Sequence, residues 1–269
     1  MASVPDSFLS GDHVGSIAAR CGSDTLRLEA EWPTILQWIP RLGRVVAHTC
    51  NRDAEVSQPG SFAPPAICSE RRAFLGGDFV LACRLDRWKS IFATIDDTGK
   101  RTLRIFDEGG SAVGSIDVDD PVGRPAFDEM VWRLHARDQS TRERVAPDAI
   151  SEPDAREDLL RRAGPSFARA ISIGAVRAAL ASLDENRGSV SFALANAGAT
   201  HAYAGSVSRF EGVARWKLAF ASRATLTIDA ASIARAWLVR TLHGPAPRNS
   251  IELFDRSGNT IVRFGYAGM

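Results

Sequence analysis

Several familiar signals are missing from this 269-residue chain, and each absence removes a class of function. The four cysteines (Cys21, Cys50, Cys68, Cys83) form no CxxC pair, so their spacing signals neither a zinc knuckle nor a redox dithiol. Free thiols in a reducing compartment are expected. Five histidines (His13, His48, His135, His201, His243) never stand three or four residues apart, which removes the usual metal pair on a helix. Any metal centre must be assembled from distant positions. With 33 basic and 32 acidic residues, the net charge is +1 and is not segregated, which argues against a nucleic-acid surface. The opening "MASVPDSFLSGDHVGS" has no basic stretch followed by an apolar one, and no run of about 18 apolar residues occurs anywhere. A cytoplasmic location without membrane insertion is expected. "GGSAVG" (109–114) lacks the Lys-Ser/Thr of a phosphate loop, and "DVDD" (117–120) lacks the further oxygen ligands of a calcium loop.

What the chain does have is an echo. "TLRIFDEGGSAVGSI" (102–116) and "SIELFDRSGNTIVRF" (250–264) share an alternation, a Phe-Asp entering the turn and a Gly leaving it. Phe106 and Phe254, Asp107 and Asp255, and Gly110 and Gly258 all stand 148 residues apart. Other landmarks recur in the same order: Trp88 precedes its Phe by 18 residues and Trp237 by 17. "GRVVAHTCN" (43–51) parallels "GSVSFALAN" (188–196), and each follows a helical apolar pattern: Trp32, Ile35, Leu36, Ile39 and Val176, Ala179, Leu180, Leu183. Four ordered matches indicate an internal duplication.

Each copy reads as helix, glycine turn, strands, a Trp-bearing segment and a final hairpin. The strands alternate in short antiparallel units, and the crossover helices of a parallel sheet are missing. The fold class is therefore α+β: two large antiparallel β-sheet repeats, each with helices. The first repeat covers 1–136 and closes on "FDEMVWRLHA", with Phe127, Met130, Val131 and Leu134 on one side. Residues 137–158 are polar, charged and proline-bearing, and read as a linker. The second repeat covers 159–269.

Order and number of these motifs carry a resemblance. "PRLGRVVAHTCNRDAEVSQPGSF", "LDRWKSIFA", "RIFDEGGSAVGSI", "RLHARDQS", "LLRRAGPSFARAI", "ANAGATHAYAGSV", "SIARAWLVR" and "SIELFDRSGNTI" resemble the cytoplasmic hemin transport or hemin-degrading proteins of Gram-negative bacteria, which are built from two tandem homologous halves. The resemblance implies heme as the ligand, bound in a cleft between the second half and the linker region. It also implies a role in trafficking or breakdown during iron acquisition, and a partner protein that delivers or accepts heme. Two departures bear on the site. The family's iron ligand, a histidine just before the second half, would fall between about Ser151 and Leu159, where this chain reads "SEPDAREDL". An arginine expected six residues before Trp88 is Ala82.

Heme recognition needs an axial donor, cations for two propionates and an apolar face. Replacement donors are Tyr266, at the end of the last strand, and His201, in "GATHAYAG". Each also has a plain structural role available, as a terminal tyrosine and as a strand histidine. Cations near the implied pocket are Arg84, Arg87, Arg156 and Arg263, whose planar forks suit carboxylates. His135 ends a helix and could cap it through the dipole. His48 and Cys50 share one side of a strand, a weak metal signal alone. Three readings stay open: a heme-binding protein with a divergent ligand set, a scaffold or regulator that has lost heme, and a heme-degrading enzyme.

Overall fold

Glycine closes both echoed hairpins in a conformation that a side chain would strain. In the computed structural model, which describes residues 13–141, 155–243 and 246–266, Gly110 has φ +75° and Gly258 φ +89°. The aspartate before each glycine completes the turn. Asp107 accepts the Ser111 amide at 2.8 Å through its carboxylate, and Asp255 accepts the Asn259 amide at the same distance. These aspartates are turn supports.

The chain divides into two compact units. Unit 1 comprises residues 1–50, 57–151 and 196–200; unit 2 comprises 51–56, 152–195 and 201–269. In chain order the first copy contains α1 (Val14–Ala18), β1 (Thr25–Leu28), α2 (Trp32–Trp38), β2 (Arg44–Cys50), β3 (Ala54–Ser61), β4 (Ala66–Ser69), β5 (Arg72–Leu75), β6 (Val80–Arg84), β7 (Trp88–Ile95), β8 (Arg101–Asp107), β9 (Ala112–Val118) and α3 (Arg124–Leu134). The second contains α4 (Arg156–Ala163), β10 (Ala168–Ile171), α5 (Ile173–Glu185), β11 (Ser189–Ala195), β12 (Ala199–Glu211), β13 (Arg215–Phe220), β14 (Thr225–Asp229), β15 (Arg235–His243), β16 (Ala246–Phe254) and β17 (Thr260–Tyr266). α4 begins inside the stretch that reads as linker.

In unit 1 an antiparallel sheet runs β1–β7–β8–β9–β2, and β4–β5–β6 form a second antiparallel set. Unit 2 repeats the first pattern as β10–β15–β16–β17–β11, with β12–β13–β14 as its second set. The duplicated α+β architecture is thus visible strand by strand. Val46 pairs with Asp117 in the first copy, while Ser191 pairs with Gly265 in the second, so the register is preserved along with the order.

Both sheets are covered on two faces. In unit 1, Ile35 and Leu36 of α2 and Phe127, Met130 and Leu134 of α3 pack with Leu103, Ile105 and Ile116. On the other face α1 places Val14, Ile17 and Ala18 against Phe92 and Phe106. Unit 2 sets Val176 and Leu180 of α5 against Ile251, Leu253, Val262 and Phe264. There α4 covers the opposite face, with Leu160 against Val239 and Phe254 and with Trp237 alongside. Each large apolar side chain so buried contributes about 1.5–3 kcal/mol, enough for the period-2 pattern to dictate the register.

One landmark of the repeat is displaced. Phe92 lies opposite Arg104 in β7–β8, and Trp237 lies opposite Glu252 in β15–β16. Arg104 and Glu252 are themselves related by the 148-residue offset. Trp237 therefore stands where Phe92 stands, not where Trp88 does. Trp88 instead ties a loop to the core, since its indole Nε1 donates to the Gly198 carbonyl at 2.9 Å and its ring meets Trp32 edge-on with centroids 5.3 Å apart.

Candidate functional site

Where the resemblance puts a ligand, unit 2 presents the sheet face beneath α4. Alternation aims Arg235 and Trp237 of β15, Glu252 and Phe254 of β16 and Arg263 of β17 toward that side. α4 supplies Arg156, Glu157 and Arg161 from above. Its first turn carries Glu157 and Asp158, where negative charge suits the helix dipole.

Two carboxylates organise this face, both almost fully buried. Glu252 is 2% exposed and accepts two parallel bonds from Arg156, Nε at 2.9 Å and Nη2 at 2.6 Å. Arg263, its neighbour across the strand pair, stands 3.6 Å away on the same carboxylate. Glu157 is 3% exposed and receives Arg235 at 2.5 and 2.9 Å, Arg161 at 3.1 Å and the Trp237 indole at 3.4 Å. Burial pushes the Glu157 carboxyl up, but hydrogen bonds from Arg235, Arg161 and Trp237 outweigh it and hold the group below its usual range. The same bond raises Arg235. Arg235 also donates to the Asp255 carbonyl at 3.0 Å, tying the network to the hairpin turn. Fork-on-fork geometry of this kind recognises carboxylates, and here the chain's own glutamates occupy the forks.

The other residues singled out by sequence scatter. Arg84 ends β6 in unit 1, exposed, 3.5 Å from Asp86, and Arg87 is exposed in the following turn. Ala82, where the family pattern has an arginine, is exposed in β6 opposite Phe74. His201 in β12 is completely buried. Tyr266 ends β17 with its backbone opposite Val190, and its side chain lies outside the described residues. Of the six residues, the structure brings together Arg156 and Arg263, through Glu252. Sequence reasoning missed Glu252, Glu157 and Arg235. The signal available for them was a glutamate in an otherwise apolar strand, "SIELF", and that signal does not name its partners.

Unit 1 holds a second ionic centre. His48 Nε2 stands 3.1 Å and Lys100 Nζ 2.7 Å from Asp117 Oδ2, while Thr102 donates to Asp117 Oδ1 at 2.9 Å. Burial raises the Asp117 carboxyl, yet His48 and Lys100 together depress it far below the usual range. His48 is thus engaged by a carboxylate. Cys50 is buried beside the Ala112 carbonyl. Among the described residues no group of three or more His, Cys, Asp or Glu side chains is arranged to hold a metal ion. Nor is any described helix long and apolar enough to cross a membrane.

Tested against heme, the α4 face offers part of what is needed. Aromatic walls and two convergent arginines are present, but both arginines are matched by Glu252. None of the side chains placed on the face is a histidine, and the side chain of His243, at the end of β15, lies outside the described residues. Those placed side chains alone do not make an iron–imidazole site, and no chemical step is derived through it.

Comparison with known proteins agrees with the architecture. The model of the haemin-degrading HemS.ChuX domain matches twice, over residues 12–134 and 155–266. Among solved structures, the heme-binding protein PhuS from Pseudomonas aeruginosa, in its apo and holo forms, superposes with a TM-score of 0.84 at 22% identity, covering 95% of this chain and 85% of that one. ChuS, an E. coli heme oxygenase, superposes with a TM-score of 0.81 at 18% identity, covering 95% and 87%. At these identities the likeness is one of fold. No curated protein sequence matches the chain.

Proposed function

Since the chain belongs to the haemin-degrading HemS.ChuX domain family, we propose that it binds heme in iron acquisition and passes it on, with a ligand set of its own. The observation that carries this is the meeting of Arg156 and Arg263 on Glu252, on the sheet face that also carries Trp237 and Phe254, in the region the resemblance assigns to heme. In this proposal the two arginines receive heme carboxylates in exchange for Glu252, and Tyr266 is the donor to test first. Arg84 and Arg87 remain candidates for the same role. His201 is a poor candidate because a completely buried strand histidine would have to leave the sheet. Ring cleavage needs iron held with an open coordination position, and "SEPDAREDL" lacks the histidine that would hold it. Trafficking is favoured for that reason.

A second reading is favoured by Glu252 itself. A carboxylate built into the face satisfies the arginines without any ligand, as a scaffold or regulator that has abandoned heme would require. Hemin titration separates the two. A saturable Soret change that weakens in Arg156→Ala and shifts in Tyr266→Phe supports heme binding, and tighter binding in Glu252→Gln supports the exchange. No saturable change in the parent chain and in Glu252→Gln refutes heme binding and leaves the scaffold. Ascorbate added to any complex, with catalase present, tests for breakdown through ring-cleavage products.

A further inference from the structure

Unit 1 contains a cavity that shares no residue with the α4 face or with the Asp117 centre. It is a half-open groove of about 750 Å³ between β1, the end of β7 and one side of α3. That volume lies inside the range of about 300–1,000 Å³ typical of small-molecule sites. Leu26, Ile95, Val131 and Trp132 supply its apolar wall. Trp132 is 80% exposed and Ile95 also stands in water, so this concave wall gains by being covered.

The charged groups of the lining are carboxylates. Asp24 and Asp128 belong to it, no Lys or Arg does, and the remaining titratable group is His135, just past the end of α3. The two aspartates differ in what they have left to give. Asp24 is taken up by its own turn, bonded by Arg20 and by the hydroxyls of Ser23 at 3.3 Å and Thr25 at 3.0 Å. Asp128 receives Arg101, whose Nε and Nη2 donate at 2.8 and 2.9 Å, one to each carboxylate oxygen. Each oxygen keeps room for a second donor. The Arg101 side chain is 18% exposed and that of Asp128 49%, so the guanidinium stands behind and the open edge of the carboxylate in front. Asp128 and Trp132 are four residues apart on α3, which puts them on one side of the helix, and both line the groove. A half-exposed carboxylate beside an exposed indole suits an ammonium group, the first through its charge and the second through its π face.

We propose that this groove of unit 1 binds an amphiphilic organic cation, with its ammonium group between Asp128 and the Trp132 ring and its apolar chain along Leu26, Ile95 and Val131. The site is independent of the heme-binding reading. A lining without Lys or Arg offers nothing to the carboxylates of heme, and the same lining favours positive charge.

The test uses the full chain at pH 7 and three probes that share an eight-carbon chain and differ in head group: octylammonium, octanol and octanoate. Tryptophan emission and titration calorimetry are both followed. Octylammonium should bind saturably, shift the emission, and bind several-fold more tightly than octanol or octanoate. Asp128→Asn should lower octylammonium affinity by about three- to fivefold, to the level of octanol, and leave octanol binding as it is. Trp132→Leu should remove the emission change and weaken octylammonium about two- to fivefold more than octanol. Trp132 is so exposed that this variant should keep its fold, and far-UV circular dichroism checks both variants. A parent chain without a saturable response overturns the site, as do affinities unchanged in both variants. Octanol or octanoate bound as tightly as octylammonium overturns the preference for a cation. A head-group preference retained in Asp128→Asn overturns Asp128 as the receptor. Sedimentation of the probe-free chain is the control: concentration-dependent association that is lost in Trp132→Leu would make a second copy of the chain the occupant and overturn the small ligand. Hemin titration of the same variants reads the heme-binding proposal separately, and its failure leaves this one standing.

Discussion

Removing either member of the Arg156–Glu252 pair breaks the same two hydrogen bonds, but the costs should differ severalfold. Arg156→Ala leaves a carboxylate of 2% exposure with one remaining cation, Arg263, at 3.6 Å. Breaking a buried pair from the side that strands the buried charge costs about 3–5 kcal/mol, and Arg263 brings this toward about 3 kcal/mol. Glu252→Gln takes one charged contact from each of two arginines whose side chains are 31% and 46% exposed, so water replaces that contact. Charge-assisted bonds contribute roughly 1.5–3 kcal/mol each, and with rehydration and the retained Gln oxygen the net cost falls to about 1 kcal/mol. At about 3 °C per kcal/mol for a chain of this size, the melting midpoint should drop by roughly 9 °C for Arg156→Ala and roughly 3 °C for Glu252→Gln. Thermal and urea unfolding followed by circular dichroism at pH 7 measure both. An equal or reversed order would refute the reasoning, because it would mean that Glu252 is not the desolvated partner.

Other outcomes follow from the same structure. Asp117 has a depressed carboxyl in the folded state, so its stabilisation should be complete above its unfolded value of about 3.9 and be lost as pH falls below it. Asp117→Asn should flatten the acid limb of a stability–pH curve while costing about 3 kcal/mol at pH 7. Exposed Cys68 should react with a thiol reagent at pH 8 within the mixing phase, whereas Cys83, buried and pushed up to about 12, should label only after unfolding. Loss of the fast phase in Cys68→Ser checks the assignment. A Cβ at Gly123 would lie 1.9 Å from the Leu42 carbonyl oxygen, so Gly123→Ala should destabilise by about 2 kcal/mol or more in urea titration.

How much of this was legible beforehand depended on how local each signal is. The hairpins could be read because Asp107 and Gly110, like Asp255 and Gly258, do their work within five residues. Asn51 and Asn196 were also in register, and each caps its own turn: Asn51 accepts the Asp53 and Ala54 amides, and Asn196 those of Gly198 and Ala199. Trp88 and Trp237 share a residue type but not a place in the sheet, and only the strand register shows that Trp237 answers to Phe92. Arg156 and Arg263 could be nominated as cations, but their mutual carboxylate lies on a third element. Charge complementarity between strands has no signature along the chain.

The assignment of residues 51–56 to unit 2 and 196–200 to unit 1 has a consequence for the history of the molecule. Ala54 and Val56 complete the interior of the later copy, and Ala199 that of the earlier one. A gene cut between the copies would yield two products, each short of a piece encoded in the other. Once that trade was made, the duplication could not be undone by simple deletion, and a copy whose ligand chemistry had drifted would still be retained for the amino acids it lends.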